Sequence, residues 1–203
     1  MRRTLGFLAL VLGACTAARE DADTSSAGAT SASDTVPGAS SSSSRDASPR
    51  TLTAEGWGPL RIGMSRAEVV AAAGPDANPN AVGGPDPESC DQFRPRSAPE
   101  GLLVMVERDT LTRISLSRSV AVATDAGFAV GDSASAVERH YDARAEVTPH
   151  KYQDAPARYI TTWTRGRPPA PSARGIRYEI GGDGGITHIH AGGPSIQYVE
   201  GCL

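Results

Sequence analysis

The stretch GPLRIGMSRAEVVAAAG, residues 58–74, constrains the fold more than any other part of this chain. Leu60 and Ile62 alternate with polar positions, which predicts a short strand over 57–62. Gly63 and Met64 turn the chain. Ser65 then stands where a helix N-cap belongs, and Glu68 three residues on completes a capping box. In that pattern the serine hydroxyl accepts from the third helical amide while the glutamate reaches back to the Ser65 amide. Met64 is placed to staple onto Val69. The helix is expected to stop at Gly74, and Pro75 keeps it from resuming. A weaker copy, GFAVGDSASAVERHYD, occupies residues 127–142. Gly131 stands for Gly63, Ser133 for Ser65 and Val137 for Val69, but Ala136 replaces Glu68 and the box is lost. Two copies of one unit predict a fold made by internal duplication.

The strands expected around these helices are antiparallel. Residues 90–93 start one. Residues 102–106 and 111–117 form a hairpin, as do 176–180 and 186–191 across the glycine-rich turn 181–185. A strand is expected at 159–163, and 128–130 should lead the second copy as 57–62 leads the first. The Pro-rich segment 165–174 is excluded from any central strand. The reading is an α+β domain over residues 51–203, made of two helix-plus-antiparallel-strand repeats, about 51–120 and 121–203.

The first fifty residues are of another kind. Arg2 and Arg3 precede an apolar run, residues 5–12, that is too short for a membrane span but has the build of a secretory signal. The tetrapeptide Leu12-Gly13-Ala14-Cys15 that follows resembles the bacterial lipobox. That resemblance implies a signal peptide over 1–14, removed to leave Cys15 as the lipid-bearing first residue. Thr16 in place of Asp resembles an outer-membrane address, so a lipoprotein facing the periplasm is expected. Residues 15–50 are dominated by Ser, Thr, Ala, Asp and Gly, with no aromatic side chain. Such a segment buries too little apolar area to offset its ordering entropy, and a disordered tether is expected.

Residues 58–69, with the copy at 127–137, resemble the repeats of the β-lactamase-inhibitor-protein-like and SmpA-like families. There a Gly-Met-Ser/Thr turn opens a helix that packs on an antiparallel sheet, and the inhibitor-type members carry the unit twice. The resemblance implies an α+β fold and a role in binding another protein. It implies no catalytic residues.

Three cysteines are present. With Cys15 assigned to lipid, Cys90 and Cys202 remain as an even pair in an oxidising compartment, so a disulfide is expected. In the chain-entropy model such a long loop is worth roughly 4–5 kcal/mol.

Candidate chemistry is sparse. The formal net charge is −3 and no basic cluster occurs, which argues against nucleic acid. His188 and His190 sit two apart, on one face of a strand, and a metal shared with Asp183 or Glu179 would need a third fixed ligand. A solvent-facing pair without metal is the expectation. His140 and His150 have no partner that spacing assigns. The Gly181–Gly185 run lacks the lysine and following helix of a phosphate loop and the ligand count of a Ca²⁺ loop. There is no nucleophile elbow, zinc-protease helix or dinucleotide fingerprint. Only 5% of residues are aromatic, so most of Trp57, Tyr152, Tyr159, Trp163 and Tyr198 should be core. Tyr152 is the best candidate for an exposed one. The expected function is a lipid-anchored envelope protein with a non-catalytic, cofactor-free domain that binds another envelope protein, using Tyr152, Trp163, His188 and His190. The alternatives are a carbohydrate or cell-wall binding module and, third, a small hydrolase or metal-dependent enzyme.

Overall fold

The computed structural model describes residues 50–80, 83–118 and 120–202. The expected signal peptide, Cys15 and the Ser-rich segment up to residue 49 lie outside the described residues. The chain enters through three two-residue strands, β1 (Leu52–Thr53), β2 (Gly56–Trp57) and β3 (Leu60–Arg61), paired antiparallel as a small sheet. The single strand expected over 57–62 is therefore a hairpin. Gly58 has φ +52° and Pro59 follows it, so the chain turns there and Trp57 pairs with Leu60.

Helix α1 (Arg66–Ala73) follows with both halves of the capping box formed. Ser65 Oγ accepts from the Glu68 amide at 3.3 Å, and the Ser65 amide donates to Glu68 Oε2 at 2.7 Å. Gly74 ends the helix at φ +85°, a backbone state that favours glycine. Strands β4 (Cys90–Phe93), β5 (Leu102–Glu107) and β6 (Thr110–Ser117) come next. The β5–β6 turn places Arg108 and Asp109 at φ +45° and +62°, the two left-handed positions that a tight hairpin requires. Asp109 Oδ1 also accepts from the Arg66 amide at 3.1 Å, so the turn serves the start of α1.

The second half carries α2 (Ala134–Tyr141), capped by Ser133 alone, then β7 (Glu146–Pro149), β8 (Arg158–Arg165), β9 (Arg174–Ile180) and β10 (Ile186–Gly192). Residues 128–130 are not a strand, contrary to expectation. Phe128 packs against the core instead, edge-on to Tyr178 at 5.9 Å. Strand β7, which the sequence reading missed, lies at a sheet edge with Val147 half exposed, so burial imposes no apolar alternation on it.

Seven strands form one antiparallel sheet in the order β4-β5-β6-β10-β9-β8-β7. The fold is thus α+β with β dominant. The core lies on one side of the sheet. Val69 and Ala73 of α1 and Val137 and Tyr141 of α2 pack on Leu102, Val104, Ile114, Leu116, Ile160, Ile176, Tyr178 and Ile189. The hydroxyls of Tyr141 and Tyr178 meet at 3.0 Å, which keeps two polar groups satisfied inside that layer. The positions that alternate with these along the strands face the opposite way.

Candidate binding face

Register places the outward side chains in three rows. The first reads Gln92, Met105, Arg113, Gly192, Gly175 and Trp163 across β4 to β8. The second reads Leu103, Ser115, His190, Arg177, Thr161 and Glu146. The third reads Ser117, His188, Glu179, Tyr159 and Thr148. This is an unusual surface. Arg113 and Arg177 are buried on it, at 3% and 8% exposure.

The chain's own C-terminal segment covers them. After β10 it makes a 3-10 turn at Pro194–Gln197 and crosses the first row as a strap. Arg113 donates from Nη1 to the carbonyls of Ser195 and Tyr198, at 3.2 and 3.0 Å, and from Nη2 to Gln92 Oε1 at 2.8 Å. Arg177 donates from Nη1 to the Gln197 carbonyl at 3.0 Å. Ile196 and Met105 are fully buried outside the helix-side core, so the strap has a small apolar layer of its own. Cys202 ends it in a disulfide to Cys90 on edge strand β4, with Cα atoms 5.4 Å apart across 112 residues. Burial lowers the Arg113 guanidinium to about 10 against the pull of Glu107, so it keeps its charge at neutral pH.

Beyond the strap, three histidines gather around one carboxylate. Glu179 faces His150 Nε2 at 3.3 Å, His188 Nδ1 at 3.7 Å and His190 Nε2 at 3.7 Å. Strand register brings in His188 and His190, whose rings lie parallel with centroids 6.0 Å apart. His150 comes from the β7–β8 loop, where it stacks on Tyr159 at 4.7 Å. The Arg177 guanidinium also lies over Tyr159, 3.6 Å from the ring centre. Burial pushes the Glu179 carboxyl up. The flanking imidazoles of His188 and His190, together with that of His150, outweigh that and hold it well below the usual carboxylate range. Burial lowers His190 to about 4, with Arg113 and His188 adding to the effect, so its imidazole is neutral at pH 7.

The three imidazoles point at the carboxylate itself, and among the described residues no three donors are grouped to hold a metal ion. Asp183, the other carboxylate considered for such a site, is spent in its turn, where Oδ1 accepts from the Gly185 amide at 2.9 Å. Ser115 Oγ lies 2.8 Å from His190 Nδ1, so Ser115, His190 and Glu179 form a line that resembles a hydrolytic triad. The geometry does not suit nucleophilic attack. The His190–Glu179 separation is beyond hydrogen-bond length, the base is depressed to about 4, and Ser115 is buried.

The exposed chemistry is aromatic. Tyr152 on the β7–β8 loop and Tyr198 on the strap are 59% and 46% exposed. Lys151 and Glu200, each next to or near one of them, approach to 3.6 Å, and the Lys151 ammonium lies 5.1 Å from the Tyr152 ring centre. Tyr198 lines two clefts. One, of about 660 Å³, is bounded by Glu107, Lys151, Glu200 and Cys202, and the other, of about 520 Å³, by Ile62, Pro169, Pro171 and Arg174. Trp163 is half-buried over Gly175, where a Cβ would come within 2.7 Å of its ring. Of the four residues singled out in the sequence, His188 and His190 lie in adjacent rows of this face, Trp163 lies in the first row, and Tyr152 stands on the flanking loop. Sequence reasoning named Tyr198 among the aromatics and His150 without a partner, and gave no role to Arg113 or Arg177. The arginines carried one signal, a cation alternating with Ile and Leu on a core strand. A scan against protein-family models and searches of curated proteins and of solved structures find no match for this chain.

Proposed function

We propose that this chain is a lipid-anchored cell-envelope protein whose folded domain is non-catalytic and binds another envelope protein. The observation that carries the reading is the pair of exposed tyrosines, Tyr152 and Tyr198, held on separate segments that meet through Lys151 and Glu200. Tyrosine supplies a large rigid contact with a polar tip, and such residues dominate protein interfaces. Two clefts beside Tyr198 give a partner side chain somewhere to enter. Anchorage rests on the lipobox resemblance at Cys15, with residues 15–50 as spacer and the outer membrane, facing the periplasm, as the site.

Duplication fits the same reading. The Gly63 amide donates to the Leu111 carbonyl and the Leu111 amide to the Met64 carbonyl. In the second half the Gly131 amide donates to the Ile186 carbonyl and the Ile186 amide to that of Asp132. Gly63 and Gly131 have φ +102° and +98°, so each unit needs glycine to reach the last hairpin of its half. This correspondence supports two repeats joined at β6 and β10.

The test is capture from detergent-solubilised envelopes with the full chain, beside the Tyr152→Ala/Tyr198→Ala double variant. One protein retained by the native chain and reduced at least tenfold with the variant is expected. Retention of peptidoglycan instead would move the function to the cell-wall alternative, and equal capture by both chains would overturn the assignment to these tyrosines. Separately, Cys15→Ser is expected to abolish labelling by radioactive palmitate.

A further inference from the structure

Both ring nitrogens of His150 are committed. Its Nδ1 lies 3.1 Å from the backbone nitrogen of Tyr152, and its Nε2 lies 3.3 Å from Glu179 Oε1. An amide N–H can only donate, so Nδ1 is the unprotonated nitrogen and Nε2 carries the hydrogen. The ring is almost wholly buried between Tyr159 and the loop, with 4% of its side chain exposed. His150 therefore fastens the loop bearing Tyr152 to the sheet.

We propose that His150 is a pH-sensitive latch, and that a second proton on Nδ1 releases the Tyr152 segment and so regulates the proposed binding face. An imidazolium has donors on both nitrogens. Nδ1–H would then face the Tyr152 N–H, turning an attraction into a repulsion between two donors. The other side of the ring gains by the same event, because Nε2–H of a cation bonds a carboxylate more strongly than that of a neutral ring. Glu179 remains ionised to receive it. The charged and titratable groups around His150 act in both directions. Glu179 on β9 favours the added proton, and so does Asp154, which lines the cleft beside it. Arg177 over the Tyr159 ring, neighbouring Lys151 and Arg158 on β8 oppose it. His188 and His190 on β10 compete for the same carboxylate. Lys151 is itself drawn toward Glu200, so release of the loop also weakens the link between the two exposed tyrosines.

The regulatory consequence rests on the proposed binding face, but the latch itself is read without any partner. The full chain in detergent micelles, labelled with ¹⁵N-tyrosine and ¹³C-histidine, gives five tyrosine amides and four imidazoles to follow. Between about pH 8 and 5, the window in which histidines titrate, the exchange protection of the Tyr152 amide is expected to fall at least tenfold in step with His150. His150→Asn, whose side-chain oxygen replaces the Nδ1 acceptor but takes up no proton, is expected to keep that protection at pH 5. A constant Tyr152 protection while His150 titrates overturns the latch, as does a His150 that stays neutral to pH 5. Equal loss of protection in His150→Asn overturns it as well. Failure of the capture experiment, with the latch behaving as described, would count against the binding face alone.

Discussion

Arg113 on β6 donates to the carbonyl oxygen of Tyr198, 3.0 Å away and 85 residues later in the chain. No carboxylate lies within ion-pair distance of that guanidinium among the described residues; its hydrogen bonds go to Ser195, Tyr198 and Gln92. A cation is thus used as a backbone clamp. It holds the strap that carries Tyr198 while the strap keeps it from water, and the two are stable only together.

Replacing that clamp with a short apolar side chain leaves three acceptors unserved. Arg113→Ala is expected to lower unfolding stability by about 3 kcal/mol, measured by urea denaturation of the purified protein. Arg113→Lys should recover only part, since an ammonium cannot reproduce the planar fork. A loss in Arg113→Ala no larger than that of an exposed arginine such as Arg61 would show that the strap does not depend on it.

The disulfide closes the same strap. Cys90→Ser, Cys202→Ser and the double variant are expected to lose similar stability, about 2–5 kcal/mol each relative to the bridged protein. Additive losses in the double variant would contradict a shared bond. Non-reducing mass spectrometry offers an independent check, because alkylation of both thiols would mean that the link is absent.

The two helices start with unequal caps. Ser65 takes part in a reciprocal box, whereas the Ser133 hydroxyl accepts from the Ala136 amide at 3.4 Å with no side chain reaching back to the Ser133 amide. Ser65→Ala should cost about 1 kcal/mol and Ser133→Ala clearly less, in the same denaturation assay. The reverse order would show that the box adds nothing.

Acid should destabilise the fold earlier than carboxylates alone would predict. His190 takes a proton at about 4 in the folded chain against an ordinary 6.5, so between those values the unfolded chain binds more protons. Stability is full above pH 6.5 and falls as the pH drops toward 4, by up to about 3 kcal/mol from this group. Glu179, held below its ordinary value of 4.5, adds a further loss in the same direction once the pH passes below that point. His190→Phe should flatten the segment between pH 6.5 and 4.5. An unchanged slope would assign the acid sensitivity elsewhere.

Much of the scaffold was legible because its signals are local. Ser65, Glu68 and Gly74 act within one or two helical turns, and the hairpins at 102–117 and 176–191 announce themselves by alternation around a turn. The misreadings came where packing overrides pattern. Phe128, Ala129 and Val130 look like a strand, yet Phe128 is used against the Tyr178 and His140 rings. Residues 146–149 show no strand alternation and are given no element by the sequence, yet the β8 edge gives them a partner. The sequence set His188 and His190 beside Asp183 or Glu179 on one hairpin, but it offered no reason to include His150.

The residues by themselves determined the helix caps, the two long hairpins and the cysteine pairing, since each depends on neighbours in the chain or on counting. Tertiary structure alone decided that His150 latches onto Glu179 and that Arg113 and Arg177 hold the strap. Both depend on cross-strand register and on a terminal segment folding back over the sheet. Those distances are set by contacts between residues far apart in sequence, and no local spacing encodes them.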